Sequence, residues 1–310
     1  MMRRIIAGAK RPFGLHKPGR SLLVYPDDVF VVSYPKSGNT WTRFLIANLI
    51  HPEEPATFSN IDRIVPEADE LSKRELDLIA RPRVLKTHQY FDPRYQRVIY
   101  VARDPRDVVV SEYHYFRKRR WIADDFPMEE FVTRFLAGRT SDYASWAENV
   151  TSWIATRFAH PNFLLLRYED MLSDAGGNLK KIALFLGIRA TAEQLAQTAE
   201  RSSAEKMREL ERSRAADASV TRNTREDIPF VRTACAGNWK SALSEASVAE
   251  LEAALGSLMR WLGYELVTNR QLDDPDAHLL DVVIGERLTC IADTPAPPEF
   301  TRLEQYKRVA

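Results

Sequence analysis

Val29-Phe30-Val31-Val32-Ser33-Tyr34-Pro35-Lys36-Ser37-Gly38-Asn39-Thr40-Trp41 is the stretch on which the fold turns. Its first five residues are a short apolar run, the pattern of a strand covered on both faces. Pro35 fixes the chain as it leaves the strand, Gly38 lets the backbone come close to a ligand, and Trp41 opens a helical pattern that reaches Ile50. Beyond the strand's carboxyl end such a turn presents unpaired N–H donors and the positive end of a helix dipole. Ser37 and Thr40 add hydroxyls and Lys36 adds a mobile charge. The turn reads as a cradle for a phosphate-like anion. It is not the common nucleotide-triphosphatase version, which needs Gly, four residues and then Gly-Lys-Ser/Thr. Here Lys36 precedes Ser37-Gly38 and the first glycine is missing.

Outward from this turn, Val84-Leu85-Lys86-Thr87, Val98-Ile99-Tyr100-Val101-Ala102 and Phe163-Leu164-Leu165-Leu166 repeat the buried-strand pattern. Helical patterns run from Asp107 to Lys118, Met128 to Leu136, Tyr143 to Phe158, Leu179 to Leu186, Ala192 to Glu200 and Val248 to Trp261. Short apolar strands alternating with helices predict an α/β fold, with a central, mainly parallel sheet flanked by helices. The expected organisation is an irregular basic arm over 1–27, one domain over 28–268, and a C-terminal extension over 269–310. That extension holds the Thr294-Pro295-Ala296-Pro297-Pro298 stretch and is read as irregular, packed on the domain or not.

The 310 residues carry 44 Lys+Arg against 43 Asp+Glu, which excludes the chain-wide basic field of a non-specific nucleic-acid binder. Any anion site must then be a local cluster. Cys235 and Cys290 cannot form a disulfide framework or a four-thiolate zinc site, and reduced thiols in a cytoplasmic protein are expected. The start, Met1 to Lys10, has too short an apolar run for a signal peptide, and no uncharged apolar stretch of about 18 residues predicts a transmembrane segment.

Two further strand ends carry chemistry. Lys86-Thr87-His88 closes the second strand, and Arg103 closes the third, ahead of Asp104-Pro105-Arg106-Asp107 and a helix with Ser111 one turn in. Cations and a proton-transfer group would therefore meet at one sheet edge. Imidazole accepts a proton near neutral pH, so His88 is the candidate base, while His51, His114, His160 and His278 read as structural or exposed. Arg117-Lys118-Arg119-Arg120 reads as a solvated helix end, with an anionic acceptor or a membrane surface as the sharper alternative. Tyr113, Tyr115, Phe116, Trp121 and Phe126 fit an acceptor pocket or core equally well.

Tyr34 to Trp41 resembles the 5′-phosphosulfate-binding motif of the cytosolic-type sulfotransferases, and Tyr100 to Ser111 is similar to their 3′-phosphate-binding motif. Leu166-Arg167-Tyr168-Glu169-Asp170-Met171 matches another family segment, and Arg232 to Lys240 resembles the late Arg-Lys-Gly-x-x-Gly-Asp-Trp-Lys motif. The resemblance implies a single P-loop-like three-layer domain. It also implies transfer of the sulfuryl group of 3′-phosphoadenosine 5′-phosphosulfate (PAPS) to a hydroxyl, or less readily an amine, by in-line displacement without a metal, leaving the product PAP. Carried over, Lys36, Ser37, Gly38, Asn39 and Thr40 would hold the 5′-phosphosulfate, Trp41 would stack on adenine and Tyr168 would contact it. Arg103, Ser111 and Arg232 would grip the 3′-phosphate, with Thr233 and Ala234 lining the same loop. His88 would be the base, with Lys36 and Lys86 beside the transferring group.

Departures are visible. Thr233 and Ala234 replace Lys and Gly, Asn238 replaces Asp, and Ala204 stands where a second adenine-stacking Phe is expected. Weaker donor binding, or a compensating group, follows from these changes. Ser241-Ala242-Leu243-Ser244-Glu245 departs from the dimerisation pattern of the animal enzymes, so oligomeric state is open. The acceptor is a small molecule, lipid or saccharide. Two other readings stay in view: a non-standard P-loop nucleoside or sugar kinase, which would need magnesium, and a non-catalytic nucleotide-binding relative.

Overall fold

A computed structural model describes residues 22–69, 71–214 and 221–268. Its sheet has four strands, β1 (Val29–Val32), β2 (Val84–Thr87), β3 (Arg97–Ala102) and β4 (Phe163–Arg167), in the order β2-β1-β3-β4. All pairings are parallel, with Val32 beside both Thr87 and Tyr100. The strand runs are apolar throughout because each face has its own core. Phe30, Val32, Val98 and Tyr100 enter one apolar cluster, whereas Val29, Val31, Ile99 and Val101 enter the other.

Early in the chain come α1 (Asn39–Ile50), α2 (Ile61–Ile64), α3 (Lys73–Asp77), α4 (Pro105–Lys118), α5 (Met128–Leu136) and α6 (Trp146–Arg157). After β4 follow α7 (Tyr168–Ser173), α8 (Ala175–Leu186), α9 (Ala192–Arg201), α10 (Ala204–Arg214), α11 (Trp239–Ala242) and α12 (Glu245–Trp261). Phe44 and Leu45 of α1, Leu179 and Ile182 of α8 and Met207 of α10 cover one face of the sheet. Val109 of α4, Phe131 of α5, Trp153 of α6 and Leu251 of α12 cover the other. The result is the expected three-layer arrangement. Helix α6 begins at Trp146 rather than Tyr143, because Ala144 turns left-handed (φ 68°) and Ser145 closes a reciprocal capping box with Glu148. The sequence reading did not include α10; its sequence AEKMRELERSR is mostly charged and only Met207 is buried among its apolar residues.

Residues 22–27, assigned to the basic arm by sequence, are tied to the domain. Leu22 is buried, and the Arg83 guanidinium, itself buried, donates to the carbonyl of Leu23 at 2.8 Å and to Asp28 Oδ1 at 2.8 Å. The extension over 269–310 lies outside the described residues. No helix among the described residues is long and apolar enough to cross a membrane.

The strand order positions the site. The chain leaves β1 toward β2 on one side and leaves β3 toward β4 on the other, so a crevice opens beyond the adjacent carboxyl ends of β1 and β3.

Candidate active site

Two left-handed residues, Lys36 (φ 64°) and Gly38 (φ 97°), bend the turn between β1 and α1. Gly38 is required twice over: for its backbone conformation and because a Cβ there would lie 2.5 Å from Tyr168 Cδ2. The Asn39 amide donates to Ser33 Oγ at 3.1 Å and to the Val31 carbonyl at 3.3 Å, locking the helix start to the strand. Ser37 Oγ and Asn39 Oδ1 are buried without a hydrogen-bond partner among the described residues. Burying such groups unpaired costs about 1–3 kcal/mol each, a cost that an anion and its hydration could offset. Thr40 is half-buried on the first turn of α1.

Arg103 crosses from β3 to this turn, donating to the Lys36 carbonyl at 3.1 Å and to the Cys235 carbonyl at 3.3 Å. Its guanidinium lies 4.3 Å over the Tyr168 ring, and its Nε has no partner. Arg232 approaches from the late segment: its pKa is lowered by burial and by repulsion from Arg103, against the pull of Asp107. Lys36 is brought down to about 7 by burial and by Arg103, Arg119 and Arg232, with Glu112 opposing. Its ammonium sits 4.3 Å from the Tyr115 ring centroid and 4.4 Å from that of Phe230. Crowded, partly desolvated cations of this kind fit a compact polyanion, which would relieve their repulsion. Ser111 stands half-buried one turn into α4.

Trp41 is held by its indole N–H, which donates to the Ser202 carbonyl at 2.9 Å, and its ring meets Tyr168 edge-on at 5.7 Å. Ala204, at the start of α10, supplies no second ring.

The late segment is pinned from two sides. Asp107 accepts from the Gly237 N–H at 2.7 Å and the Trp239 N–H at 3.0 Å. Arg208 donates to the Arg232 carbonyl at 3.0 Å and the Thr233 carbonyl at 2.9 Å. The two replaced residues find each other, Asn238 Nδ2 donating to Thr233 Oγ1 at 2.7 Å. Ala234, at the family's glycine position, still takes a left-handed conformation, φ 50°.

His88 follows β2 directly. Its Nδ1 lies 2.7 Å from the Ser33 carbonyl, which can only accept, so Nδ1 carries the hydrogen and Nε2 keeps its lone pair. The backbone on either side is fixed: His88 N–H donates to Asp69 Oδ2 at 3.3 Å, and Asn149 Nδ2 donates to the His88 carbonyl at 3.0 Å. Burial, then Lys86 and Lys36, push the imidazole down to about 3, against Glu67 and the Ser33 hydrogen bond, so it is neutral. Tyr143 flanks the ring at 5.5 Å. Lys86 does not follow the expectation that it points at a transferring group. Its ammonium is committed to Glu67 in a buried ion pair, and Lys86 holds the Glu67 carboxyl down to about 2 against burial.

Other sequence readings are sorted by the same geometry. The run from Arg117 to Arg120 is not a purely solvated helix end: Lys118 is buried and donates to the carbonyls of Arg225 at 2.7 Å and Ile228 at 2.6 Å. Of the aromatics, Tyr113 belongs to the core and Tyr115 faces Lys36. His114 is not remote, since burial and Arg232 bring it down to about 4. Asp69, Glu67, Asn149 and Glu112 were missed. Glu112 alone left a signal, being an acid four residues after Val108 on the apolar stripe of α4.

Comparison with known proteins places this geometry among relatives. A family profile described as Sulfotransferase domain matches residues 26–263. The chain is 30% identical over 247 residues to the 3-beta-hydroxysteroid sulfotransferase of Cavia porcellus, covering 74% of this chain and 83% of that one. It is 28% identical over 263 residues to sulfotransferase 2A1 of Homo sapiens, covering 81% of this chain and 91% of the other. The crystal structure of a mouse sulfotransferase complexed with PAP superposes with a TM-score of 0.64 at 26% identity, over 77% of this chain and 87% of that chain.

Proposed function

The chain belongs to the sulfotransferase domain family and is a PAPS-dependent enzyme that transfers sulfuryl groups to small-molecule acceptors, and we propose that His88 and Lys36 carry the transfer. Bound in the crevice, PAPS supplies an activated sulfuryl group whose leaving group is PAP. The unpaired Ser37 Oγ, Asn39 Oδ1 and Arg103 Nε, together with the crowding of Lys36, Arg103 and Arg232, support that placement. Lys36, Ser37, Gly38, Asn39 and Thr40 cradle the 5′ end; Arg103, Ser111 and Arg232 hold the 3′-phosphate, with Thr233 and Ala234 shaping the loop. Trp41 and Tyr168 flank the adenine.

The observation that carries the base assignment is the His88 tautomer. With Nδ1–H given to Ser33, Nε2 is free to take the acceptor hydroxyl's proton as the bond to sulfur forms. Lys36 offsets negative charge growing on the leaving group, a role that the donor's own anions strengthen by restoring the lysine's proton. Lys86 stays with Glu67 and acts on His88 through its field. The acceptor is an apolar hydroxylated molecule, because Tyr143, Tyr115 and Phe230 are the rings nearest His88 and Lys36. Hydroxysteroids lead the panel, in keeping with the Cavia porcellus relative's name.

The test is transfer from PAPS to a panel of hydroxysteroids, phenols and sugars. His88→Ala should lower kcat by about 10³-fold or more while PAP still binds. In the native enzyme the base is neutral above about pH 3, so no acid limb near the usual imidazole range of about 6.5 should appear. Undiminished kcat in the variant overturns the base assignment.

A further inference from the structure

Glu112 is a buried acid in the wall of the crevice, and neither the cradle nor the base uses it. It lies on α4 three residues before Tyr115 and seven before Arg119, one stripe of the helix. That stripe is the one facing Lys36: Tyr115 lies 4.3 Å from the ammonium, and Glu112 and Arg119 both act on its charge. Thr140, buried in the connection from α5 to α6, donates to Glu112 Oε2 at 3.0 Å and fixes the carboxyl. The Tyr34 hydroxyl, buried and without a partner, is on the same side of the crevice and senses the same acid.

We propose that Glu112 is a positioning residue that sustains the positive charge of Lys36 in the ligand-free cradle, so that the donor meets an ammonium rather than a neutral amine. The proposal rests on the reading of Lys36 given above. Of the charged groups that face Lys36, Arg103 beyond β3, Arg119 on α4, Arg232 in the late segment and the neutral His88 beyond β2 offer it no anion. Glu112 is the acid opposing them among these groups. Facing Glu112 itself are Lys36 and Tyr34 from the turn after β1 and Thr140 from the connection after α5. Burial holds Glu112 up to about 8 and Lys36 lies at about 7, so the two titrate as a coupled pair across neutral pH. Above neutrality the carboxylate keeps the proton on Lys36 when the arginines would drive it off.

The pH profile of kcat/KM for PAPS tests this, because its alkaline limb reports the free enzyme. Glu112→Gln should move that limb about one pH unit toward acid, a loss of about tenfold at pH 8 beyond any loss at pH 6. Glu112→Asp should recover part of the shift, and Thr140→Val, which only releases the carboxyl, should move the limb less. That last variant decides the matter should Glu112→Gln fail to fold. A limb that stays in place, or moves toward alkaline pH because the acid merely repels the donor, overturns the proposal. Lys36→Arg separates the two readings: it should abolish the limb, and a limb persisting there would overturn the reading of Lys36 instead.

Discussion

The turn after β1 and the segment from Arg232 to Trp239 line the same crevice, yet their polar groups are spent differently. In the turn, the hydroxyl of Ser37 and the amide oxygen of Asn39 are buried and unpaired, and glycine occupies the left-handed position next to Tyr168. In the late segment, Thr233 and Asn238 bond to each other, Arg208 and Asp107 consume carbonyls and N–H groups, and an alanine occupies a left-handed position. One region keeps its polar groups for a ligand, and the other uses them to hold its own shape. The grip on the 3′-phosphate is thereby left to Arg103, Ser111 and Arg232.

The strongest way to break that contrast is at the turn. Lys36→Ala should lower kcat/KM by about 10²–10³-fold, measured with PAPS at saturating acceptor; a loss under threefold would mean that the turn is no more committed to the ligand than the late segment. Next in size, Thr233→Lys restores the missing cation and should tighten PAP binding about tenfold, read by calorimetry at low salt, with the gain shrinking as salt is added. Unchanged affinity would place residue 233 away from the 3′-phosphate. Smallest is Ala234→Gly, which relieves the left-handed conformation and should stabilise the protein by about 1 kcal/mol in urea unfolding. A destabilised glycine variant would count against strain at that position.

Much of this was legible beforehand because it depends on local pattern. The four apolar runs mark the four strands, since a strand covered on both faces has no polar alternation to confuse it. Lys36, Arg103 and His88 follow strand ends, and the parallel order brings such ends together. Contacts between distant segments were not legible. Nothing in Lys86 announces Glu67, 19 residues earlier, which reaches it through a single parallel bridge beside β2. The Ser33 carbonyl that sets the His88 tautomer lies 55 residues before the ring, and a backbone acceptor leaves no mark in side-chain identity. Lys118 read as solvent-facing because its burial depends on a loop more than 100 residues later.

The capping of the late segment by Asp107 also orders events in time. Gly237 follows Asp107 by 130 residues, so a ribosome adding about 5–20 residues per second needs on the order of ten seconds to deliver the second partner after the first. The sheet, with all four strands complete by Arg167, precedes the loop that closes the crevice. Nascent chains therefore carry a formed cradle with one wall still missing. PAP or PAPS, binding only once that wall arrives, would then favour the finished chain by mass action, making the nucleotide pool a folding aid as well as a source of sulfate.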